Sequence, residues 1–112
     1  MEKNIEIGIL YQYYKDLLSE KQSEAIEQYY IEDLSLTEIA EISGVSKQAI
    51  SNNIKRSEKL LLEYEKSLKL YTKLNEISNF LEKLDLLIKD KIDEKTYSSI
   101  KYEISLLNNK IN

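Results

Sequence analysis

Apolar residues fall on helical spacing along the whole of this chain. Ile7, Leu10, Tyr14 and Leu17 recur every three or four positions, which predicts a first helix over about residues 3–18, slightly weakened by Gly8. In "LSEKQ", Ser19 followed by Gln22 has the capping-box spacing, and a second helix should carry Ala25, Ile26, Tyr29 and Tyr30 and end near "EDL". Ser35 with Glu38 repeats that signal. The third helix it opens places Leu36, Ile39, Ala40 and Ile42 on its apolar side, and Gly44 should stop it as a left-handed cap. Ser46 then caps a fourth helix beginning Lys47-Gln48-Ala49-Ile50.

That fourth helix has no obvious reason to stop early. Ile50, Ile54, Leu61, Tyr64, Leu68 and Tyr71 follow a heptad track, with Ser57 in one of its slots. At 1.5 Å per residue, a helix over 46–71 is about 39 Å long. A second track, Leu70, Leu74, Ile77, Leu81, Leu84 and Ile88, keeps regular spacing in a different register. The mismatch predicts a break between Tyr71 and Asn75, with Thr72 or Asn75 as the cap. Asp93 should cap a last helix bearing Tyr97, Ile100, Ile104, Leu107 and Ile111. Three short helices cannot cover a fourth of that length. The C-terminal stripes must therefore seal against each other as a hairpin, against a second chain, or both, and a homodimer is expected.

Composition narrows the chemistry. With 112 residues, 42% hydrophobic, no proline and only two glycines, the chain should be all-α: one compact domain, or a small domain with a helical extension. No run approaches the ~20 apolar residues of a membrane span, and "MEKNIEIGIL" has no signal-peptide pattern, so a cytoplasmic protein is expected. There is no cysteine and no histidine, which removes disulfides, thiolate nucleophiles, imidazole ligands and the commonest general base. Glu32 and Asp33, or Asp90, Asp93 and Glu94, are acidic runs of the kind that usually form caps and solvated faces rather than cation sites. No glycine-rich phosphate loop is present. The expectation is a non-enzyme without metal or cofactor.

Charge is divided unevenly. The chain carries a net −4, yet residues 1–45 hold ten acids and three lysines while residues 46–112 are net positive. Within 46–60, Lys47, Lys55, Arg56 and Lys59 face only Glu58. A basic segment inside an acidic chain keeps nucleic-acid binding open and predicts that it is modest and salt-sensitive.

Two capped helices joined by a short turn containing glycine are what a helix-turn-helix requires. Ala40 gives the physical reason for the match, since a large side chain there would force the crossing helices apart. "LSEKQ" followed by "YYIEDLSLTEIAEISGVSKQAISNNIKRSEKLLLEYE" resembles region 4 of bacterial sigma factors. More closely, it resembles the YlxM-like family of small helix-turn-helix proteins of Gram-positive bacteria and mycoplasmas, most strongly from about residue 10 to 66. The resemblance implies a sigma region 4-like helix-turn-helix domain; with the stripes described above, the expected division is that domain over 1–60 and a C-terminal helical extension over 61–112 that serves as the dimerisation region. It also implies a DNA-binding regulator linked to the signal recognition particle pathway.

By that resemblance Leu36 to Ser43 form the supporting helix, Gly44 and Val45 the turn, and residues from Ser46 to about 58 the recognition helix. Ile50 and Ile54 should face inward. Lys47, Ser51 and Lys55 should share one outward line, and Gln48, Asn52, Arg56 and Lys59 its neighbour. Gln and Asn match an adenine edge, while Lys and Arg reach phosphates or guanine. Relatives commonly carry more arginine and an aromatic residue here, whereas this helix has Ser51 and the chain's sole arginine. The alternative function is a protein-interaction accessory factor of the signal recognition particle GTPase or its RNA, without DNA binding. The acidic N-terminal third and nine tyrosines suit that reading.

Overall fold

Three serine hydroxyls decide where the central helices begin. In the computed structural model, which describes residues 3–111, Ser19 Oγ accepts from Gln22 N at 3.2 Å while Ser19 N donates to Gln22 Oε1 at 3.0 Å. Ser35 and Glu38 make the same reciprocal pair, both bonds at 3.1 Å, and Ser46 Oγ accepts from Ala49 N at 3.1 Å. Each cap satisfies N–H groups that a helix start would otherwise leave without a partner. Met1, Glu2 and Asn112, the outer ends of the two expected regions, lie outside the described residues.

The elements are α1 (Ile5–Tyr14) with a 3₁₀ turn (Lys15–Leu17), α2 (Glu20–Ile26) with a π turn (Glu27–Ile31), α3 (Leu36–Ser43), α4 (Lys47–Leu68), α5 (Leu70–Ile88) and α6 (Glu94–Ile111). The fold is all-α, and the expected order of helices is present. Gly44 ends α3 at φ 69°, ψ 25°, donating its N–H to Ala40 O at 2.9 Å. The long helix breaks at Lys69, not between Tyr71 and Asn75. Lys69 adopts φ 54°, ψ 31° and donates its N–H to Glu65 O at 2.8 Å, so Thr72 and Asn75 lie inside α5. A lysine in the left-handed region leaves no glycine or asparagine signal for this stop.

The chain divides into two compact units between Lys69 and Leu70. In the first unit, α1, α2 and α3 all pack on α4. Ile50, Ile54, Ser57 and Leu61 are its buried stripe, against Ile7, Leu10, Tyr11 and Tyr14 of α1 and Ala25, Ile26, Ile39 and Ala40 of α2 and α3. Ser57 is fully buried, and its hydroxyl donates to Asn53 O at 2.9 Å. It thereby fills a heptad slot without an unsatisfied polar group. Ala40 is also buried, as the close helix crossing requires. Ile42, expected on the apolar side of α3, is 63% exposed, because a helix of eight residues lying against α4 and the π turn buries only Ile39 and Ala40.

The tyrosines act at both ends of their side chains. Tyr14 buries its ring and donates its hydroxyl to Glu65 Oε1 at 2.5 Å. Tyr11 does the same toward Glu27 Oε2 at 2.5 Å, Tyr30 donates to Glu58, and Tyr64 to Leu17 O at 3.2 Å. Burial, then the Glu27 carboxylate, push the Tyr11 phenol upward, and burial with Glu58 does so more strongly at Tyr30. Several glutamates thus serve as acceptors that fasten α1 and α2 to the core.

The second unit is a hairpin of α5 and α6. Asp93 caps α6 as predicted, accepting from Thr96 N at 2.9 Å. Ser78 Oγ donates to Asn108 Oδ1 at 2.8 Å and Tyr97 Oη to Asp85 Oδ1 at 2.8 Å, which fixes the antiparallel register. The buried side of α5 differs from the expected track: Ser78 and Leu81 are buried, while Ile77 is 43% exposed. On α6, Leu107 is exposed and Asn108 takes its inward place.

Candidate nucleic-acid interface

The interface candidate follows from the way α4 is held. With Ile50, Ile54, Ser57 and Leu61 turned into the core, the opposite side of α4 must face solvent over its first three turns. At about 100° per residue, Gln48, Asn52, Lys55, Arg56 and Lys59 fall on that outward side. All five are exposed. Gln48 Nε2 donates to Asn52 Oδ1 at 3.0 Å, an i,i+4 bond that holds the two amides as one unit. It leaves Gln48 Oε1 as acceptor beside the Asn52 N–H groups as donor, the pair of functions an adenine edge matches.

Two expected positions sit apart from this ridge. Ser51 is half-buried. Lys47 is exposed but lies in the first turn on the flank toward α3, lining a shallow depression with Lys3, Asp33 and Glu38. The cause is helical rotation: positions 47 and 51 lie nearer to the buried stripe than positions 48 and 52 do.

Folding adds residues that the local pattern did not single out. A groove of about 390 Å³ is lined by Lys21 and Gln22 of α2 together with Ala49, Asn52, Asn53 and Arg56 of α4. Asn53 Nδ2 donates to Lys21 O at 3.2 Å and so ties the start of α2 to α4. Lys21 therefore extends the basic ridge across the groove from Arg56. In the sequence, Lys21 is only a residue inside a capping box, and nothing local connects it to a helix some thirty positions away.

Negative charge is partly turned away from this face. Glu58 is the only acid between positions 47 and 62, and it accepts from Tyr30 of the π turn. Asp33 is paired with Lys3, and the hydrogen bond from Lys3 holds its carboxyl below the ordinary value. A separate cleft, lined by Asp16, Glu20, Glu24, Glu27 and Glu32 around Tyr11, gathers much of the remaining acid. Among the described residues no carboxylate cluster has the arrangement to hold a metal ion, and no helix is long and apolar enough to cross a membrane.

A family model described as "Putative helix-turn-helix protein, YlxM / p13 like" matches residues 1–108. Similar chains include a UPF0122 protein of Oceanobacillus iheyensis, 45% identical over 91 residues, covering 81% of this chain and 87% of the relative. A UPF0122 protein of Clostridium novyi is 46% identical over 101 residues, covering 90% of this chain and 84% of the relative. One from Halalkalibacterium halodurans is 40% identical over 98 residues, covering 88% and 86% respectively. The chain belongs to this YlxM / p13-like helix-turn-helix family.

Proposed function

We propose that this member of the helix-turn-helix family is a cytoplasmic regulatory protein that binds duplex DNA through the outward ridge of α4. One observation carries the reading: Lys55, Arg56 and Lys59 share a solvent face with the Gln48–Asn52 amide pair, and the sole carboxylate of that stretch is engaged by Tyr30. Cations supply sequence-independent phosphate contacts, and the amide pair supplies base-edge chemistry. Lys47 and Ser51 join as flanking contacts. In a homodimer the ridge is presented twice, as two half-sites require.

Fluorescence anisotropy with random and genomic duplexes at several salt concentrations tests the proposal. Of the candidate cations, the four on α4 (Lys47, Lys55, Arg56 and Lys59), doubled, give at most about eight phosphate contacts, hence a slope of log K on log salt no steeper than about −7 from that helix alone. Between 50 and 200 mM salt that corresponds to a loss of up to about 10⁴-fold. Lys55→Glu with Arg56→Glu should abolish binding in a folded protein, since both side chains are exposed. Gln48→Ala or Asn52→Ala should change preference among sequences and leave the slope nearly intact. No binding at about 50 mM salt by a folded protein refutes the proposal.

A second reading has its own observation in favour. The acidic cleft around Tyr11 suits a basic partner, as expected of an accessory factor of the signal recognition particle that does not bind DNA. Failure of the anisotropy test would leave that reading as the better one.

A further inference from the structure

Helices α5 and α6 bury only part of their apolar surface against each other. The seam of α5 is formed by Tyr71, Leu74, Ser78, Leu81, Asp85 and Ile88, of which only Ser78 and Leu81 are buried. Its larger apolar side chains stand beside the seam: Ile77 is 43%, Phe80 61% and Leu87 55% exposed, with Leu84 half-buried between them. These four repeat at heptad spacing, one position behind the seam residues, and so form a second stripe rotated by about 100°. On α6 the seam is Tyr97, Ile100, Ile104, Asn108 and Ile111, and Leu107, 44% exposed, lies on the flank rotated in the same sense. In antiparallel neighbours, flanks rotated in the same sense lie on one side of the pair. Ile77, Phe80, Leu84, Leu87 and Leu107 therefore share one side face of the hairpin, with Glu103 and Lys110 along its α6 edge.

We propose that this side face is the dimer interface: two copies of the chain pack through it and complete a four-helix bundle. Size argues for such an occupant. The second unit is close to the ~40 residues below which a chain usually needs oligomerisation or a staple to fold. A seam carrying Ser78, Asn108 and an Asp85–Tyr97 hydrogen bond is a thin core for it. Area agrees. A face about 28 Å long and about 20 Å wide offers roughly 560 Å² from each copy, and corrugation brings the total close to the ~1,200 Å² at which specific interfaces begin. A single patch used by both partners is what two-fold symmetry provides. The inference rests on the homodimer reading for its occupant and is independent of DNA binding.

Sedimentation velocity of the full chain from about 1 to 100 μM, with far-UV circular dichroism, tests it. The wild type should be dimeric. Phe80→Glu and Leu87→Glu should each weaken the dimer by about 100-fold or more with helicity retained. Leu86→Glu should change nothing, because Leu86 is 71% exposed on the far side of α5. Phe80 lies near the middle of α5, where a two-fold axis brings the two copies together, and the native chain has no cysteine. Phe80→Cys should therefore give a covalent dimer on mild oxidation, and this decides the matter if the glutamate variants lose helicity. A wild type that is monomeric at about 100 μM overturns both this interface and the homodimer reading. A dimer indifferent to Phe80→Glu and Leu87→Glu overturns the interface alone.

Discussion

Gly44→Ala isolates the cost of the turn between the two helices of the motif. Gly44 stands at φ 69°, and a Cβ built there meets nothing within 4 Å. The N–H that bonds to Ala40 O survives the substitution, so neither a clash nor a lost hydrogen bond enters the estimate. What remains is the left-handed backbone, about 1–2 kcal/mol for an L residue. Stiffening of the unfolded chain by alanine offsets about 0.4–1 kcal/mol of that. The net destabilisation should be about 1 kcal/mol, a fall in Tm of roughly 4–8 °C for a domain of this size. Gly8 is the internal control. It lies inside α1, and its Cβ would also meet open space. Gly8→Ala should therefore raise stability by about 0.5–1 kcal/mol through helix propensity. The two sites share no partner, so the double variant should melt close to the wild type. Thermal unfolding followed by circular dichroism reads all three. A Gly44→Ala protein as stable as the wild type would mean the turn does not use a left-handed residue at 44, and the helix-turn-helix geometry would fall with it.

Ala40→Leu should overpack the α3–α4 crossing and destabilise by roughly 1–3 kcal/mol, and an unchanged Tm would place Ala40 on the surface. Acid should loosen the structure through three carboxyls held below their ordinary value: Asp33 by Lys3, Asp85 by the Tyr97 hydroxyl and then Lys101, and Asp93 by Thr96. Because these folded-state values are depressed, the stability they contribute is full above the ordinary carboxylate range and is lost as pH falls through the folded-state values. Asp85→Asn should flatten the hairpin's share of that acid transition, and a titration identical to the wild type would refute the assignment.

The sequence is most informative where chemistry is local. A capping serine and its partner three positions on lie in one turn, so Ser19, Ser35, Ser46 and Asp93 can be read directly, and the same holds for Gly44. The buried stripe of α4 is legible through the regular spacing from Ile50 to Leu61, including the slot held by Ser57. Less legible are features that depend on strain or on distant elements. Lys69 stops α4 in a conformation lysine rarely adopts, so periodicity alone carries the helix past it to Tyr71. Periodicity also finds the apolar stripe of α5 without telling how much of it a single neighbouring helix covers. That gap is why spacing assigns Ile77 to the seam while Ser78 occupies it. Lys21 can be recognised as part of the basic ridge only once α2 has been placed beside α4.

The acidity of the chain bears on the proposed DNA contact differently at different distances. At physiological ionic strength the Debye length is about 8 Å, so charges on the far side of the molecule are largely screened from a phosphate touching Lys55 or Arg56. Local cations then govern the bound state, and the net −4 acts mainly on long-range encounter. Lowering the salt strengthens counterion release at the ridge, but it also lengthens the reach of the acidic cleft around Tyr11. The two effects oppose each other. An acidic helix-turn-helix protein should therefore show a shallower salt slope than its count of contacting cations implies, with the shortfall growing toward low salt. Neutralising Asp16 and Glu32, which line the cleft and not the groove of Lys21 and Arg56, should steepen the slope without adding a contact. A slope unchanged by that substitution would mean the cleft lies too far from the bound duplex for its charge to be felt.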